Sequence, residues 1–414
     1  MTTSHALPAE QVDQALLPEQ LSALLPPPSD RLTVEGATVP WYSAEFWTSR
    51  QRQVSSLHEI SYRACFKAQL PRFFISALTR EGDVVYDPFS GRGTTALEAA
   101  LLGRNVIAND INPLSTILTR PRLTPPDLGE LHSRLQKIRP LKNNASDPNL
   151  GMFFHRETLA EILGLRGYLI RRRRQGTEDD LDLWIRMVAT NRLTGHSKGF
   201  FSVYTLPPNQ AVSRERQKQI NRKLRQRPEY RGTRELIYRK SRSLLRNVRP
   251  EEMQRLHAAS IQATLLTADA RSTPAIRSES IHLTVTSPPF LNIVNYSADN
   301  WLRCWFNALD PRRIAKSMSV SGSLEDWSQD MHEVFSELYR ITRRGGWVAF
   351  EVGEIHKGRL ELDRVVAGIG QQAGLACVGV ITNTQQFTKT SNIWGISNNR
   401  RGTNSNRIVL FRKD

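Results

Sequence analysis

The segment 84–110 constrains the fold of this chain more than any other part of the sequence. It reads as an apolar strand at 84–86, a turn with two glycines at 87–93, a helix at 94–102 and a second strand at 106–108. The first strand ends at Asp87 and the second leads to Asp110. A strand, a glycine turn, a helix and a strand followed by an acid form half of a doubly wound nucleotide-binding sheet. The segment therefore predicts an α/β fold with a ligand at the glycine turn.

The strand pattern resumes only near residue 260. Strands are predicted at 263–266, 281–285, 347–352 and 407–411, and helices at 45–80 and 326–342. We therefore predict a doubly wound, Rossmann-like sheet with a C-terminal antiparallel hairpin, formed by residues 41–125 and 261–414. Residues 1–40, which include three consecutive prolines, are predicted to be an N-terminal extension. Residues 126–260 would be a mostly helical, basic insertion.

The insertion carries much of the positive charge of the chain. Residues 213–249 hold 14 Lys and Arg against three Glu, in a chain with 57 Lys and Arg and 40 Asp and Glu. Aromatic residues lie within or beside this run: Phe200, Phe201, Tyr204, Tyr230 and Tyr238. Cations that neutralise phosphates and rings that stack on bases favour a nucleic-acid surface over a merely solvated helix face. The candidate DNA contacts are Arg171, Arg172, Arg173, Arg174, Arg222, Lys223 and Arg225, with Arg400 and Arg401 in a C-terminal loop.

The glycine turn indicates the kind of cofactor. Free backbone N–H groups at the turn and helix start suit a polar ligand. The two acids suit an ammonium group at Asp87 and ribose hydroxyls at Asp110. A dinucleotide-binding turn would have a third glycine where Ala96 stands, although alanine is sometimes allowed there. A phosphate-binding P-loop does not fit, because no Gly-Lys-Ser/Thr follows the turn.

The string Asp-Pro-Phe-x-Gly-x-Gly-Thr-Thr at 87–95 resembles the cofactor motif of the DNA amino-methyltransferases, the cytosine-N4 and adenine-N6 family. The resemblance implies a methyltransferase sheet of Rossmann type with S-adenosyl-L-methionine (AdoMet) as cofactor. It implies that the cofactor is contacted by Phe66, Asp87, Phe89, Gly91, Gly93 and Thr94 at its methionine end, by Asp110 at the ribose and by Asp269 near the adenine. Arg92 stands where the family commonly has serine, a change that we expect to be tolerated.

The tetrapeptide Ser287-Pro288-Pro289-Phe290 follows the predicted strand 281–285, at the strand end where ligands of parallel sheets bind. Two prolines fix the backbone, so the Ser287 hydroxyl and the Pro288 carbonyl can hold both hydrogens of an exocyclic amine. Phe290 offers a flat surface to a base that has left the duplex. A simple proline turn is the plain alternative. Within the family, Ser-Pro-Pro-Tyr/Phe is usual for cytosine-N4 enzymes, and Asp- or Asn-Pro-Pro-Tyr/Phe for adenine-N6 enzymes.

Together the motifs imply a site-specific DNA methyltransferase that methylates cytosine N4 by base flipping and direct in-line transfer. The motif order, with the cofactor loop before the tetrapeptide, is nearer to that of some adenine enzymes, so adenine-N6 methylation stays open. The motifs are also compatible with an RNA amino-methyltransferase and with a DNA-binding protein that keeps a degenerate methyltransferase fold.

The remaining features limit the partners and the surroundings. Cys65, Cys304 and Cys377 have no paired spacing, so neither a disulfide framework nor a metal site is expected. The sequence has no long apolar run and no secretory pattern. We expect a cytoplasmic, nucleoid-associated protein whose partner is double-stranded DNA, and which could be paired with a cognate restriction endonuclease.

Overall fold

The computed structural model describes residues 17–34, 37–47, 55–62, 65–141, 149–205, 211–289, 299–317, 323–352, 362–384 and 406–414. Within them, nine strands form one mixed sheet: β1 (Asp30–Val34), β2 (Ala37–Ala44), β3 (Val84–Asp87), β4 (Asn105–Asn109), β5 (Thr264–Leu266), β6 (Ile281–Thr286), β7 (Thr342–Val352), β8 (Ala376–Asn383) and β9 (Asn406–Arg412). Their order across the sheet is β1-β2-β8-β9-β7-β6-β3-β4-β5.

Parallel strands form the centre of this sheet. β7, β6, β3, β4 and β5 pair successively in parallel, whereas β9 is antiparallel to both β7 and β8. Because β3 lies between β4 and β6, the strand order reverses there, and ligands of doubly wound sheets bind at such a reversal. The predicted α/β class, the doubly wound sheet and the antiparallel C-terminal strands are confirmed.

The sheet extends further towards the N-terminus than the sequence suggested. β2 pairs in parallel with β8, and β1 pairs antiparallel with β2 at the edge. Residues 30–34 and 37–40 therefore belong to the sheet, although they fall in the predicted N-terminal extension. Only Leu32 and Val34 of β1 are buried, so the strand has a core face and a solvent face.

Fourteen helices lie in the described part of the chain: α1 (Glu19–Ser22), α2 (Gln69–Leu78), α3 (Thr94–Leu101), α4 (Leu114–Thr119), α5 (Leu128–Lys137), α6 (Arg156–Arg174), α7 (Asp180–Arg192), α8 (Arg214–Lys223), α9 (Thr233–Leu245), α10 (Pro250–Gln262), α11 (Trp301–Phe306), α12 (Pro311–Ser317), α13 (Leu324–Ile341) and α14 (Leu362–Gln372). The insertion is mostly helical, as predicted. The helix expected within 45–80 is limited to α2, and only a 3-10 turn, Ser56–His58, precedes it among the described residues. None of the described helices is long and apolar enough to cross a membrane.

Two hydrophobic layers cover the two faces of the sheet. On one face, Phe335 of α13 packs against Phe350 and Phe411, with ring centroids 4.8 and 5.2 Å apart. On the other face, a single continuous core joins Leu97 of α3 to Trp184 of α7 and to further side chains of the insertion. The insertion is therefore packed onto the sheet through a shared core rather than attached by a linker.

Candidate cofactor and active site

The turn between β3 and α3 needs both of its glycines. Gly91 and Gly93 have φ values of +53° and +73°, a region that L side chains rarely adopt. A Cβ atom on Gly93 would lie 2.2 Å from the Thr119 hydroxyl oxygen, so no larger residue fits. Thr94 is buried and begins α3, whose first N–H groups have no partner within the helix. The glycine turn is thus formed between a strand and a helix, where the sequence predicted it.

Asp87 ends β3 as a carboxylate with 1% exposure. Its Oδ1 atom accepts hydrogen bonds from the Thr286 hydroxyl at 2.7 Å and from the Phe89 N–H at 3.1 Å. Burial raises the pKa of Asp87 to about 7 from an ordinary 3.8, against the lowering effect of these donors. A buried acid without a cationic partner in the described part of the chain suits a positively charged ligand group.

Asp110 follows β4 directly and reaches back to the same turn. Its Oδ2 atom accepts from the Gly91 N–H at 2.7 Å, and its Oδ1 atom accepts from the Asn112 N–H at 2.9 Å. Loss of surrounding water raises the pKa of Asp110 to about 6, and the two N–H donors oppose this. The neighbouring charge of Asp110 also raises the pKa of Asp87. The two predicted cofactor acids are therefore brought together at the reversal of strand order.

Asn109, which the sequence did not single out, ties together the loops after β3 and β5. Its amide nitrogen donates to the carbonyls of Pro88 at 3.3 Å and Ala268 at 3.0 Å, and its Oδ1 accepts from the Ala268 N–H. The next residue, Asp269, lies beside this bridge but is paired with Arg271, whose Nη2 atom is 2.6 Å from Oδ2. The Arg271 guanidinium lowers the pKa of Asp269.

The tetrapeptide begins at the end of β6, next to β3 and its carboxylate. Ser287 is partly exposed and Pro288 is buried, whereas Phe290 lies outside the described residues. The carbonyl of Pro289 accepts a hydrogen bond of 3.1 Å from the indole N–H of Trp327, on α13. This hydrogen bond fixes the position of the Pro289 carbonyl. Among the described residues, no donor forms a hydrogen bond with the Ser287 hydroxyl or with the Pro288 carbonyl. Trp327 lies 38 residues further along the chain, so the motif itself gave no sign of its contact with Pro289.

A loop ahead of α2 lies against the cofactor turn. Side-chain atoms of Tyr62 and Cys65 would each lie 3.7 Å from a Cβ on Gly91. Arg92 donates from Nη1 to the carbonyls of His58 at 3.2 Å and Ile60 at 3.0 Å. The arginine at the usual serine position therefore ties this loop to the cofactor turn.

Two buried side chains strengthen that connection. Arg122, which is fully buried, donates to the carbonyls of Arg92 and Leu57. His58 is also fully buried and lies 2.6 Å from Glu98 of α3, so it is a packed structural residue. Phe66 and Phe89, the predicted aromatic contacts of the cofactor, are both partly exposed. Phe66 packs against the core that contains Leu97, and Phe89 packs against the core that contains Phe335.

The candidate DNA contacts differ in their availability. Arg171, Arg173 and Arg174 at the end of α6 are exposed, as are Arg222, Lys223 and Arg225 at and after the end of α8. Arg172 is engaged within the fold, because its Nε atom lies 2.7 Å from Asp182 and its Nη2 atom 3.1 Å from Asp179. Arg400 and Arg401 lie outside the described residues.

The aromatic residues beside the basic run divide in the same way. Phe200 and Phe201 are 5% and 0% exposed and belong to the interior, so they are not available to stack on bases. Tyr230 is 52% exposed.

No cluster of three or more metal-ligating side chains occurs in the described ranges.

Comparison with known proteins identifies similar sequences for the first part of this site. Residues 35–115 match the N6_N4_Mtase family, described as DNA methylase. The type II methyltransferase M.MjaII of Methanocaldococcus jannaschii is 28% identical over 117 residues, 27% of this chain and 22% of that protein. M.BsoBI of Geobacillus stearothermophilus, also a type II methyltransferase, is 41% identical over 69 residues, 16% of this chain and 14% of that protein. The orphan methyltransferase M.BamHII of Bacillus amyloliquefaciens is 42% identical over 62 residues, 14% of this chain and 23% of that protein.

The chain thus spans less than a quarter of the length of each of these curated relatives. Among solved structures, the match to the rRNA methyltransferase aviRa of Streptomyces viridochromogenes covers 87% of this chain and 90% of that chain, at 13% identity and a TM-score of 0.34. The family match and the sequence relatives confirm the resemblance to AdoMet-dependent DNA amino-methyltransferases of the N4/N6 family. They do not distinguish cytosine N4 from adenine N6.

Proposed function

We propose that this chain transfers a methyl group from AdoMet to the exocyclic N4 amino group of cytosine in DNA. The observation that carries the proposal is the placement of Ser287 directly after β6, beside the strand that ends in Asp87, whose carboxylate bonds the adjacent Thr286 at 2.7 Å. This adjacency supports the proposal that the tetrapeptide and the glycine turn serve one site.

The residues of the turn fit AdoMet. When bound, AdoMet supplies an electrophilic methyl group. Asp87 would hold its ammonium group, Asp110 its ribose hydroxyls, and the left-handed Gly91 and Gly93 would let the backbone approach closely. Both carboxylates have raised pKa values, near 7 and 6, because both are buried away from water. Phe66, Phe89, Thr94 and Asp269 complete the proposed cofactor set.

The tetrapeptide fits an amino group as the acceptor. The lone pair of an exocyclic amine is delocalised into the base ring, which makes the amine a poor nucleophile. Two acceptors, the Ser287 hydroxyl oxygen and the Pro288 carbonyl, would hold its hydrogens and favour the form in which the lone pair is available. The Trp327 indole fixes Pro289, which limits the directions in which the preceding carbonyl can point. Phe290 would stack on the base.

We further propose that residues 126–260 are a DNA target-recognition region attached to a catalytic domain of residues 41–125 and 261–414. The exposed cations at the ends of α6 and α8 are the proposed phosphate contacts: Arg171, Arg173, Arg174, Arg222, Lys223 and Arg225. Arg172 has a weaker case, since two aspartates neutralise it. Arg400 and Arg401 stay in the proposal on sequence grounds alone.

Adenine-N6 methylation is the second candidate, favoured by one observation. The cofactor turn at 87–95 precedes the tetrapeptide at 287–290, an order nearer to that of some adenine enzymes. The serine of the tetrapeptide points towards cytosine, and we give it more weight because it would contact the reacting amine.

Single-molecule sequencing of DNA from cells that express the chain tests both candidates and reports base, position and context together. The expected product is N4-methylcytosine in one sequence context, with AdoMet as methyl donor. N6-methyladenine would overturn the cytosine assignment and support the second candidate. A parallel incubation of the protein with tritiated AdoMet, duplex DNA and structured RNA tests the substrate, and label in the RNA but not in the DNA would overturn both candidates.

Variants then test the site itself. Ser287→Ala is expected to reduce methyl transfer by about 10- to 100-fold, the size of a lost hydrogen bond that leaves an amine hydrogen without an acceptor. Ser260→Ala is the matched control, since Ser260 is a partly exposed residue of α10 whose hydroxyl donates to the His257 carbonyl of the same helix. Unchanged transfer by Ser287→Ala would contradict its catalytic role.

A further inference from the structure

Two buried arginines lie where the insertion meets the catalytic domain. Arg192 ends α7 and is 8% exposed, and Arg303 lies in α11 and is 7% exposed. Arginines this deeply buried are normally neutralised by carboxylates, because an unpaired charge away from water is strongly destabilising. The contacts of these two side chains depart from that rule.

Arg192 has no carboxylate partner among the described residues. Its Nη2 atom donates to the Asn191 amide oxygen at 2.8 Å, its Nε atom has no partner there, and its guanidinium stacks 4.0 Å from the Phe200 ring centroid. Burial, and then the charge of Arg303, lower the pKa of Arg192 to about 10. The side chain is thus held in place by neutral groups and repelled by a second cation.

The neighbouring charges add to this excess. Arg303 donates to the Asn300 amide oxygen at 2.9 Å and to the Ser61 carbonyl at 3.1 Å, and Asp299 is its acidic neighbour. Burial, and then Arg192, lower the pKa of Lys240 to about 8. Glu59 lies 3.7 Å from Lys240 and is also bonded to Arg246.

Three segments that adjoin the cluster in sequence add no acidic residue to it. The segments 63–64, 206–210 and 290–298, which adjoin the cluster in sequence, contain neither aspartate nor glutamate before Asp299 itself. A buried guanidinium without an acidic partner among the described residues, with a second buried guanidinium in its surroundings, favours an anion that comes from outside the chain.

The arginine pair lies close to the cofactor turn. The Ser61 carbonyl, which accepts from Arg303, also accepts from the Asn191 amide at 2.9 Å. The next residue, Tyr62, lies against Gly91, and its ring centroid is 5.8 Å from Arg303, so the Tyr62 side chain lies between Arg303 and the turn. On the outer side, a Cβ on Gly199 would lie 4.0 Å from Nη1 of Arg192, in a surface turn with the exposed Lys198.

We propose that Arg192 and Arg303 bind a DNA phosphate of the strand that carries the target base. The proposal rests on the proposed function, since a base that leaves the duplex draws its own phosphates towards the protein. Guanidinium groups match phosphate oxygens in pairs, and phosphate contacts set the register of the protein on the duplex. A bound phosphate would also supply the negative charge that Arg192 lacks.

Arg192→Met separates this role from a structural one. Methionine keeps an unbranched side chain over Phe200 and removes the uncompensated charge, so the melting temperature of the free protein should stay equal or rise. Affinity for a short, unmethylated duplex that contains the target sequence should fall about tenfold, the size of one charge-assisted contact. The slope of log affinity against log salt should decrease in magnitude by about 0.9, as expected for one lost phosphate contact.

The controls isolate the position and the charge. Arg344→Met removes an exposed arginine at the start of β7, at the opposite edge of the sheet from the strand ends that form the site, and should leave affinity and slope nearly unchanged. Arg192→Lys restores a cation and should recover most of the salt slope. AdoMet affinity, measured without DNA, should be the same in all three variants.

Three results would overturn the phosphate site. A lower melting temperature, or loss of cooperative melting, with unchanged DNA affinity and slope would assign Arg192 a structural role. Weaker AdoMet binding with unchanged DNA binding would assign the pair to the cofactor carboxylate. A full salt slope in Arg192→Met would show that no phosphate contact was removed. Failure of the proposed function is distinct: wild-type protein would transfer no methyl group to DNA.

Discussion

Replacing Asp87 with asparagine should stabilise the free protein and weaken its binding of AdoMet. The Asp87 Oδ1 atom accepts from the Thr286 hydroxyl and the Phe89 N–H, and an asparagine oxygen can accept both bonds. What the variant removes is a buried negative charge that no described cation neutralises. The structure therefore predicts opposite effects on stability and on ligand binding.

The size of the stability change follows from the pKa of Asp87. Its folded-state pKa of about 7 lies above the ordinary value of 3.8, so the stability linked to its protonated form is fully present below about pH 3.8 and is lost as pH rises through about 7. The full difference corresponds to about 4 kcal/mol in the free energy of unfolding, of which roughly 3 kcal/mol is lost between pH 5 and pH 8. An asparagine side chain cannot ionise, so the Asp87→Asn variant should not show this decline.

Urea unfolding of wild type and Asp87→Asn at pH 5 and pH 8 measures the effect. The difference between the two proteins isolates this group from other titrating residues. The variant should gain stability relative to wild type at pH 8, and less at pH 5. Calorimetric titration should show AdoMet affinity of the wild type increasing up to about pH 7. The affinity of the variant should be about 10- to 100-fold lower at pH 8, the worth of a lost charge-assisted contact.

An Asp87→Asn variant that is less stable than wild type at pH 8 would contradict this prediction. That result would mean that the carboxylate is already compensated in the free protein. Equal AdoMet affinity in the two proteins would remove Asp87 from the cofactor site, whatever the stability data show.

Three further substitutions test the surroundings of the site. Gly93→Ala should abolish AdoMet binding or destabilise the protein by about 1–3 kcal/mol, since φ is +73° and Thr119 occupies the space, and thermal melting with and without AdoMet checks this. Trp327→Phe removes the indole bond to Pro289 and should lower kcat severalfold while the KM for AdoMet changes little, which steady-state kinetics measures. Arg92→Ser restores the residue common in the family but loses the bonds to the preceding loop, so the KM for AdoMet should increase more than kcat falls.

The sequence predicted most accurately the elements that are formed by consecutive residues. Residues 84–110 contain strand, turn, helix and strand in succession, so their fold depends on short-range pattern, and Asp87 and Asp110 lie at the expected strand ends. The tetrapeptide was also placed correctly relative to β6, because a strand followed by two prolines has few other conformations open to it. The helix expected within 45–80 was too long, because Arg92 and Arg122 hold the preceding loop in a non-helical path.

Long-range partners could not be predicted from spacing. Trp327 reaches Pro289 from a helix 38 residues away, and Thr286 meets Asp87 across 199 residues. The insertion could be predicted as basic and helical, but its shared core with the sheet depends on tertiary packing of residues such as Trp184. Two residues of the site could have been predicted because each lies next to a predicted acid in the sequence. They are Arg271, two residues after Asp269, and Asn109, directly before Asp110.

The pairing of Asp269 with Arg271 leads to a final prediction about cofactor affinity. Arg271 occupies both carboxylate oxygens, at 3.0 and 2.6 Å, and also lies 3.0 Å from Asp330. If the adenine amino group takes the place of Arg271 at this carboxylate, AdoMet displaces a surface ion pair worth about 0.2–1 kcal/mol. Arg271→Gln should then tighten AdoMet binding by up to about fivefold in calorimetry. Asp269→Asn should weaken binding, and the double variant should bind like Asp269→Asn alone, because Arg271 would act only through that carboxylate. Weaker binding by Arg271→Gln would show instead that the arginine holds Asp269 in its binding position, and this explanation would be wrong.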